Sequence, residues 1–176
     1  MANYQIEPAH SAVHFSVRHL MISTVRGEFT RIAGTVQYDP AQPKSTRIDA
    51  TIDAASIHTR DAQRDAHLRS SDFLDVEKFP NLEFHSTQAE TESAGLRVSG
   101  QLTLHGITRP VTLIVRDITP EIKDPFGGVR MGGTAKARLN RKDFGLIYNM
   151  ALETGGVLVG EEIEIQIELE LVRQAG

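Results

Sequence analysis

His10 and His14 stand four residues apart, the spacing at which two imidazoles on a helix chelate one metal. On an extended strand the same spacing is about 13 Å, too far for a shared ion. His19, His58, His67, His85 and His105 are scattered, with no Glu-x-x-His or His-Glu-x-x-His among them. The histidines therefore read as hydrogen-bonding groups at strand ends, with no metal and no other cofactor expected. The absence of cysteine excludes a thiolate nucleophile, a disulfide framework and a Cys-type zinc site. There is no Gly-x-Ser-x-Gly elbow, and no Gly-Gly pair is followed by the Lys-Ser or Lys-Thr of a phosphate-binding loop. Asp143-Phe144-Gly145 matches the magnesium-binding tripeptide of kinases but stands alone. The densest polar cluster is Arg60, Arg64, His67, Arg69 and Asp72, with Asp61 and Asp65 beside them. One reading is a solvated helix face with local i,i+4 pairs. The sharper one places the cluster at the mouth of a pocket, with Arg69 suited to an anionic head group.

The elements that position these groups are mostly strands. Ile163, Ile165, Ile167, Leu169 and Leu171 alternate without a miss against Glu162, Glu164, Gln166, Glu168 and Glu170. That period of two makes a long strand with one aliphatic and one wet face, which requires antiparallel neighbours. The same alternation runs through Val13–Val17, Ile32–Tyr38, Ile48–Ala54, Leu82–Phe84, Leu96–Leu104, Val111–Val115 and Ala135–Leu139. About eight strands in one domain over 1–176 follow, in a sandwich or a closed barrel, which periodicity does not distinguish. The separators are turn-formers: Asp39-Pro40, Gly106, Asp124-Pro125-Phe126-Gly127-Gly128, Gly132-Gly133 and Gly155-Gly156. A parity break between Val25 and Arg31 signals a bulge or bend. The exception is a short helical insertion at about 59–76, with Thr59 as N-cap, Asp61 in the first turn, and Ala62, Ala66, Phe73 and Leu74 turned to the sheet.

A net charge of −4 argues against nucleic acid and anionic membrane surfaces as partners. No apolar run approaches a membrane span. The first residues have neither a basic nor an apolar signal region, so the expectation is a soluble, cytoplasmic protein.

Several blocks, in order, resemble the YceI-like, lipocalin-like, polyisoprenoid-binding family. They are His10-Ser11, Phe15-Ser16-Val17-Arg18-His19-Leu20 and Val25-Arg26-Gly27, then Arg64 through Val76 closed by Lys78-Phe79-Pro80. Gly100 through Val111 and Arg141-Lys142-Asp143-Phe144-Gly145-Leu146 follow, before the acidic final strand. The resemblance implies an all-β, eight-stranded antiparallel barrel around an elongated apolar cavity. It also implies a long-chain isoprenoid or lipid ligand and a homodimer.

The inward positions carry the rest of the expectation. Phe15, Val17, Phe29, Val36, Ile52, Phe73, Phe84, Leu102, Leu104, Leu139, Phe144 and Ile165 are the candidate cavity walls. Ala50, Ala54, Ala135, Ala137, Gly34 and Gly100 are small enough to leave room. His19, His67, Arg69, Asp72, Lys142 and Asp143 are the candidate head-group contacts, near the inserted helix. The favoured function is non-enzymatic carriage of a polyisoprenoid, a quinone or a fatty acid derivative. The rivals are a lipid-modifying enzyme using His67 and Asp72 as acid and base, and a stress-linked interaction module.

Overall fold

The structure, a computed structural model, describes residues 1–153 and 156–175. Its strands are β1 (Ala2–Ile6), β2 (Ala12–His19), β3 (Ser23–Phe29), β4 (Ile32–Tyr38), β5 (Arg47–Asp53), β6 (Ile57–His58), β7 (Asn81–Glu92), β8 (Gly95–Leu104), β9 (Ile107–Arg116), β10 (Ile122–Lys123), β11 (Val129–Asn140) and β12 (Glu162–Arg173). One α-helix, α1 (Ala62–Arg69), lies between β6 and β7. The strands form eight antiparallel staves in up-and-down order: β1 with β2, β3 with β4, β5 with β6, then β7, β8, β9, β11 and β12.

β12 closes the ring. Along one flank it pairs with β11 from Glu162↔Asn140 to Val172↔Arg130. Along the other it pairs with β2 at Glu164↔Ser16 and with β1 at Leu171↔Ile6. Pairing on both flanks decides for the barrel over the sandwich that periodicity left open. Closure also removes the long exposed edges on which sheets aggregate.

The first three staves each bend once. Between β1 and β2, Pro8 lacks the N–H that a ladder needs, and Pro8–His10 forms a 3₁₀ turn. The Ser11 hydroxyl takes over there, accepting from Glu170 N (3.0 Å) and reaching Glu170 O (3.3 Å). The third stave bends at a 3₁₀ turn, Ala54–Ser56. The Ser56 hydroxyl donates to Asp53 O (2.7 Å) and accepts from Arg31 N (3.2 Å), which stitches this bend to the one between β3 and β4. The bend foreseen before Arg31 is thus present, but Ala54 lies in the turn and not in the strand.

Three other expectations need correction. Gly132 and Gly133 are inside β11, opposite Glu170 and Leu169, and make no turn. Gly156 has a positive φ of 93°, whereas Gly155 lies outside the described residues. The N-cap of α1 is Asp61, whose carboxylate accepts from Arg64 N at 2.9 Å. Arg60, at φ 65°, turns the chain so that Asp61 takes the role assigned to Thr59. Ala62 and Ala66 are exposed, and the helix buries Asp65 instead. Beyond the helix, Phe73 and Leu74 are buried as expected, and they close one end of the barrel. Burying two such side chains contributes roughly 1.5–3 kcal/mol each.

Candidate ligand-binding cavity

Because every stave alternates, all eight turn hydrocarbon inward, and their inner faces enclose a cavity of about 250 Å³. Phe15, Val17, Phe29, Val36, Ile52, Phe73, Phe84, Leu102, Leu104, Leu139 and Ile165 line it. Phe144 does not. It is buried behind the wall in the 3₁₀ turn Arg141–Phe144, where its carbonyl meets His105 Nδ1 at 3.1 Å. The room has a narrower origin than small residues alone suggested. Ala50, Ala135 and Ala137 do face the cavity. At Gly34, however, a Cβ would lie 2.2 Å from Asp49 O, and at Gly100 one would lie 2.4 Å from the Phe84 ring. The space at these glycines is filled by neighbouring strands and leaves none for a ligand.

The end beneath α1 is sealed by two chain segments. Leu68, Phe73 and Leu74 come from the helical insertion, and Leu146 and Val159 from the stretch between β11 and β12. Arg141 holds that stretch. It is 2% exposed, and its guanidinium donates to the carbonyls of Gly160 (2.7 Å), Leu146 (2.5 Å), Tyr148 (2.9 Å) and Val159 (3.2 Å). Burial pushes its pKa down from the ordinary arginine value, against the opposing charge of Glu161. The rings of His67, Phe73 and Tyr148 meet at 5.0–5.1 Å and join the two covers.

None of the six candidate head-group residues lines the cavity. Arg69 donates to Ala55 O and Ile57 O, both at 2.9 Å, and so pins α1 to the bend below it. Lys142 is paired with Glu161 at 2.6 Å. His67 Nε2 and Asp72 Oδ2 are 2.8 Å apart, but the two side chains are 42% and 52% exposed on the outer surface. His19 pairs through its backbone with Val159, and Asp143 is exposed. The rest of the polar cluster is an internal network. Asp65 accepts from Thr59 N (2.8 Å) and Oγ1 (2.5 Å), and Arg64 donates to Thr59 Oγ1 (2.8 Å) and O (2.8 Å).

Among the described residues, four with polar groups do line the cavity: Tyr38, Thr46, Thr134 and Arg141. Thr46 Oγ1 donates to Pro43 O (2.6 Å) and Thr134 Oγ1 to Asp117 Oδ2 (2.8 Å), so these threonines, like Arg141, have their donors engaged within the chain. The signal for Arg141 and Tyr38 was present in the alternation. Arg141 continues the inward series Ala135, Ala137, Leu139, and Tyr38 ends the inward series Ile32, Gly34, Val36.

A family model for the YceI-like domain matches residues 4–171. The chain belongs to the YceI-like family. Among YceI-like relatives, Protein YceI of Salmonella newport (strain SL254) is 38% identical over 175 residues, covering 98% of this chain and 88% of the relative. The crystal structure of Burkholderia cenocepacia BcnA superposes with a TM-score of 0.79 at 22% identity, over 94% of this chain and 98% of that one. A polyisoprenoid binding domain from Saccharophagus degradans, implicated in plant cell wall breakdown, superposes with a TM-score of 0.69 at 14% identity, over 99% of both chains. At these identities the two structures establish the fold of this YceI-like barrel.

Proposed function

We propose that this protein binds and carries a long-chain amphiphile, a polyisoprenoid, an isoprenoid quinone or a fatty acid derivative, with its tail along the barrel axis. The observation that carries the reading is an apolar cavity reaching from Leu68 and Phe73 under the cap to Leu96 and Met131 at the opposite end. The polyisoprenoid-binding neighbour of the same fold supports the ligand class. Each buried CH₂ contributes about 0.8 kcal/mol, so a dozen carbons offer roughly 10 kcal/mol before the costs of ordering the complex. A volume of about 250 Å³ lies just below the usual range of ligand pockets, about 300 to 1,000 Å³. Longer tails enter by displacing wall side chains such as Met131, whose unbranched stem adapts readily. The proposal includes a cytoplasmic homodimer, checked by light scattering of the purified protein and by cell fractionation.

Native mass spectrometry of the purified protein, followed by organic extraction, tests the reading. Near one long-chain lipid per chain is the expected result. A protein that is empty and takes up neither added polyprenyl phosphates, quinones nor fatty acids refutes it.

A further inference from the structure

At the capped end four large apolar side chains, Met21, Ile22, Ile147 and Met150, are between 56% and 78% exposed. They come from two segments that pair through their backbones. The tip between β2 and β3 carries Met21 and Ile22, and the connection from β11 to β12 carries Ile147 and Met150. Leu20 N donates to Leu158 O (2.8 Å) and Leu158 N to Met150 O (2.9 Å), so Leu158 lies between Leu20 and Met150. A Cβ at Gly156 would lie 3.3 Å from Met21 Cγ, which brings the ends of the two segments together. The connection is apolar on both sides: Leu146 and Val159 line the cavity, while Ile147 and Met150 face out. A cover that only sealed the barrel would turn polar groups to water, as the glutamates of β12 do.

The tip is also braced in a costly shape. Leu20 and Met21 both hold left-handed backbone, a conformation that bulky residues rarely adopt. Arg18 Nη2 donates to Met21 O (3.2 Å) and Ile22 O (3.1 Å), and Nη1 donates to Thr24 Oγ1 (3.3 Å). Hydrocarbon is thus kept in water on a strained, pinned turn, and strain of this kind collects at binding sites. Among the described residues every hydrogen bond from Arg18 ends on a neutral oxygen, so no carboxylate cancels its charge there.

Area decides between a second copy and a lipid as the partner. The four side chains offer at most about 500 Å², against about 800 Å² per partner in a stable protein interface. A projecting apolar apex with a cation at its shoulder matches a phospholipid surface instead. There hydrocarbon enters below the head groups and a guanidinium stays level with the phosphates.

We propose that this apex docks the protein on a phospholipid surface, with Met21, Ile22, Ile147 and Met150 entering the acyl boundary and Arg18 meeting a lipid phosphate. The net charge of −4 selects a zwitterionic surface over one rich in anionic lipid. Docking does not depend on what fills the cavity, and it gives the capped end a partner that the carrier reading leaves unnamed. At the opposite end Ile122 and Phe126 are exposed as well, but they belong to one hairpin, beside an Asp124–Arg130 ion pair at 2.6 Å. That hairpin serves as the control.

The chain has no cysteine, so Ile22→Cys gives one site for an environment-sensitive nitrobenzoxadiazole label, and Phe126→Cys gives the control site. With phosphatidylcholine vesicles the label at position 22 is expected to brighten and shift to the blue, and the label at 126 to stay unchanged. Met21→Ser with Ile22→Ser is expected to weaken partition into the vesicles, read by co-sedimentation, by about tenfold or more. Both side chains are exposed, so the double variant keeps the fold, which a circular dichroism melt checks. Adding phosphatidylglycerol to the vesicles is expected to weaken binding, and binding that strengthens overturns the zwitterionic assignment. Vesicles that bind neither labelled protein overturn docking altogether. So does a blue shift at 126 that equals or exceeds the one at 22. A shift at 22 that grows with protein concentration in the absence of vesicles assigns the apex to a second copy and likewise overturns it. The carrier reading is decided separately, by lipid extraction, so a protein that carries and does not dock, or docks and carries nothing, tells the two apart.

Discussion

Replacing Arg141 by Met keeps an unbranched apolar stem in the wall and deletes the guanidinium. The deletion removes donors from four carbonyls, those of Leu146, Tyr148, Val159 and Gly160, at 2.5 to 3.2 Å. Hydrogen bonds to a charged group are worth about 1.5–3 kcal/mol each, which taken singly would total roughly 6–12 kcal/mol. That sum overcounts, because the native state also carries the cost of a cation that is 2% exposed, a cost of several kcal/mol. The expected net loss is about 3–5 kcal/mol, in line with breaking a buried charged network by removing one partner. For a chain of this size that is a fall in Tm of roughly 6–20 °C. The loss should be concentrated in one place. Hydrogen exchange in the Met variant should accelerate at the amides of Leu158 and Gly160, which donate to Met150 O and Arg18 O. Amides of β7 and β8, far from this contact, should exchange as in the parent. Arg141→Lys keeps the charge but loses the fork, so it should recover less than half of the loss. Unchanged thermal stability and unchanged exchange over 146–160 in the Met variant would refute the idea that this side chain holds the second cover.

Three further outcomes follow from specific contacts. Burial raises the Asp65 pKa, but the two hydrogen bonds from Thr59, with the charges of His58 and Arg69, outweigh it and hold the carboxyl below its ordinary 3.8. A depressed carboxylate adds stability above its unfolded value and loses it as pH falls through the folded one. Asp65→Asn should therefore lower the urea midpoint at neutral pH and flatten its fall below about pH 4; parallel curves would contradict this. Gly100→Ala places a Cβ 2.4 Å from Phe84 Cζ and 2.6 Å from His85 O. It should cost about 1–3 kcal/mol in denaturant melts and, by pushing the ring into the cavity, reduce lipid recovered per chain. Leu20 and Met21 both have positive φ, 54° and 59°, at the tip between β2 and β3. That conformation suits Asn-Gly and costs bulky residues roughly 1–2 kcal/mol each. Leu20→Asn with Met21→Gly should accordingly raise Tm by several degrees, and a fall would show that the tip is not strained.

The staves were legible because an inner face of Val, Ile, Leu and Phe imposes a period of two wherever a strand is wet on its other side. β12 states that rule in ten consecutive residues. β1 was missed because the bend at Pro8–His10 leaves it five residues long, and β3, as long as β4, because Gly27 stands opposite Phe15 where an aliphatic would have marked its inner face. Arg69 and Lys142 looked like ligand contacts because a sequence shows charge without showing partners. Arg69 is engaged by two carbonyls and Lys142 by Glu161, choices set by how the cap folds back. The strand-borne walls follow parity, whereas Phe73 comes from the helical insertion, and Phe144 falls outside because a 3₁₀ turn at Arg141–Phe144 ends the alternation before it. Arg141 and Tyr38 obeyed parity, yet their polar type concealed them among inward positions.

The closing role of β12 also bears on the order in which the molecule can be made. β2 and β11 have no common partner until residues 162–173 are synthesised. Before then the nascent chain can at most form an open trough, with the aliphatic face of every finished strand turned to water along one side. Pairings of such long sequence separation form slowly, and an unpaired edge beside exposed hydrocarbon is where chaperones and aggregation compete. The interior is therefore completed late and all at once. Truncation within the last strand should act on yield and solubility well before it acts on any ligand.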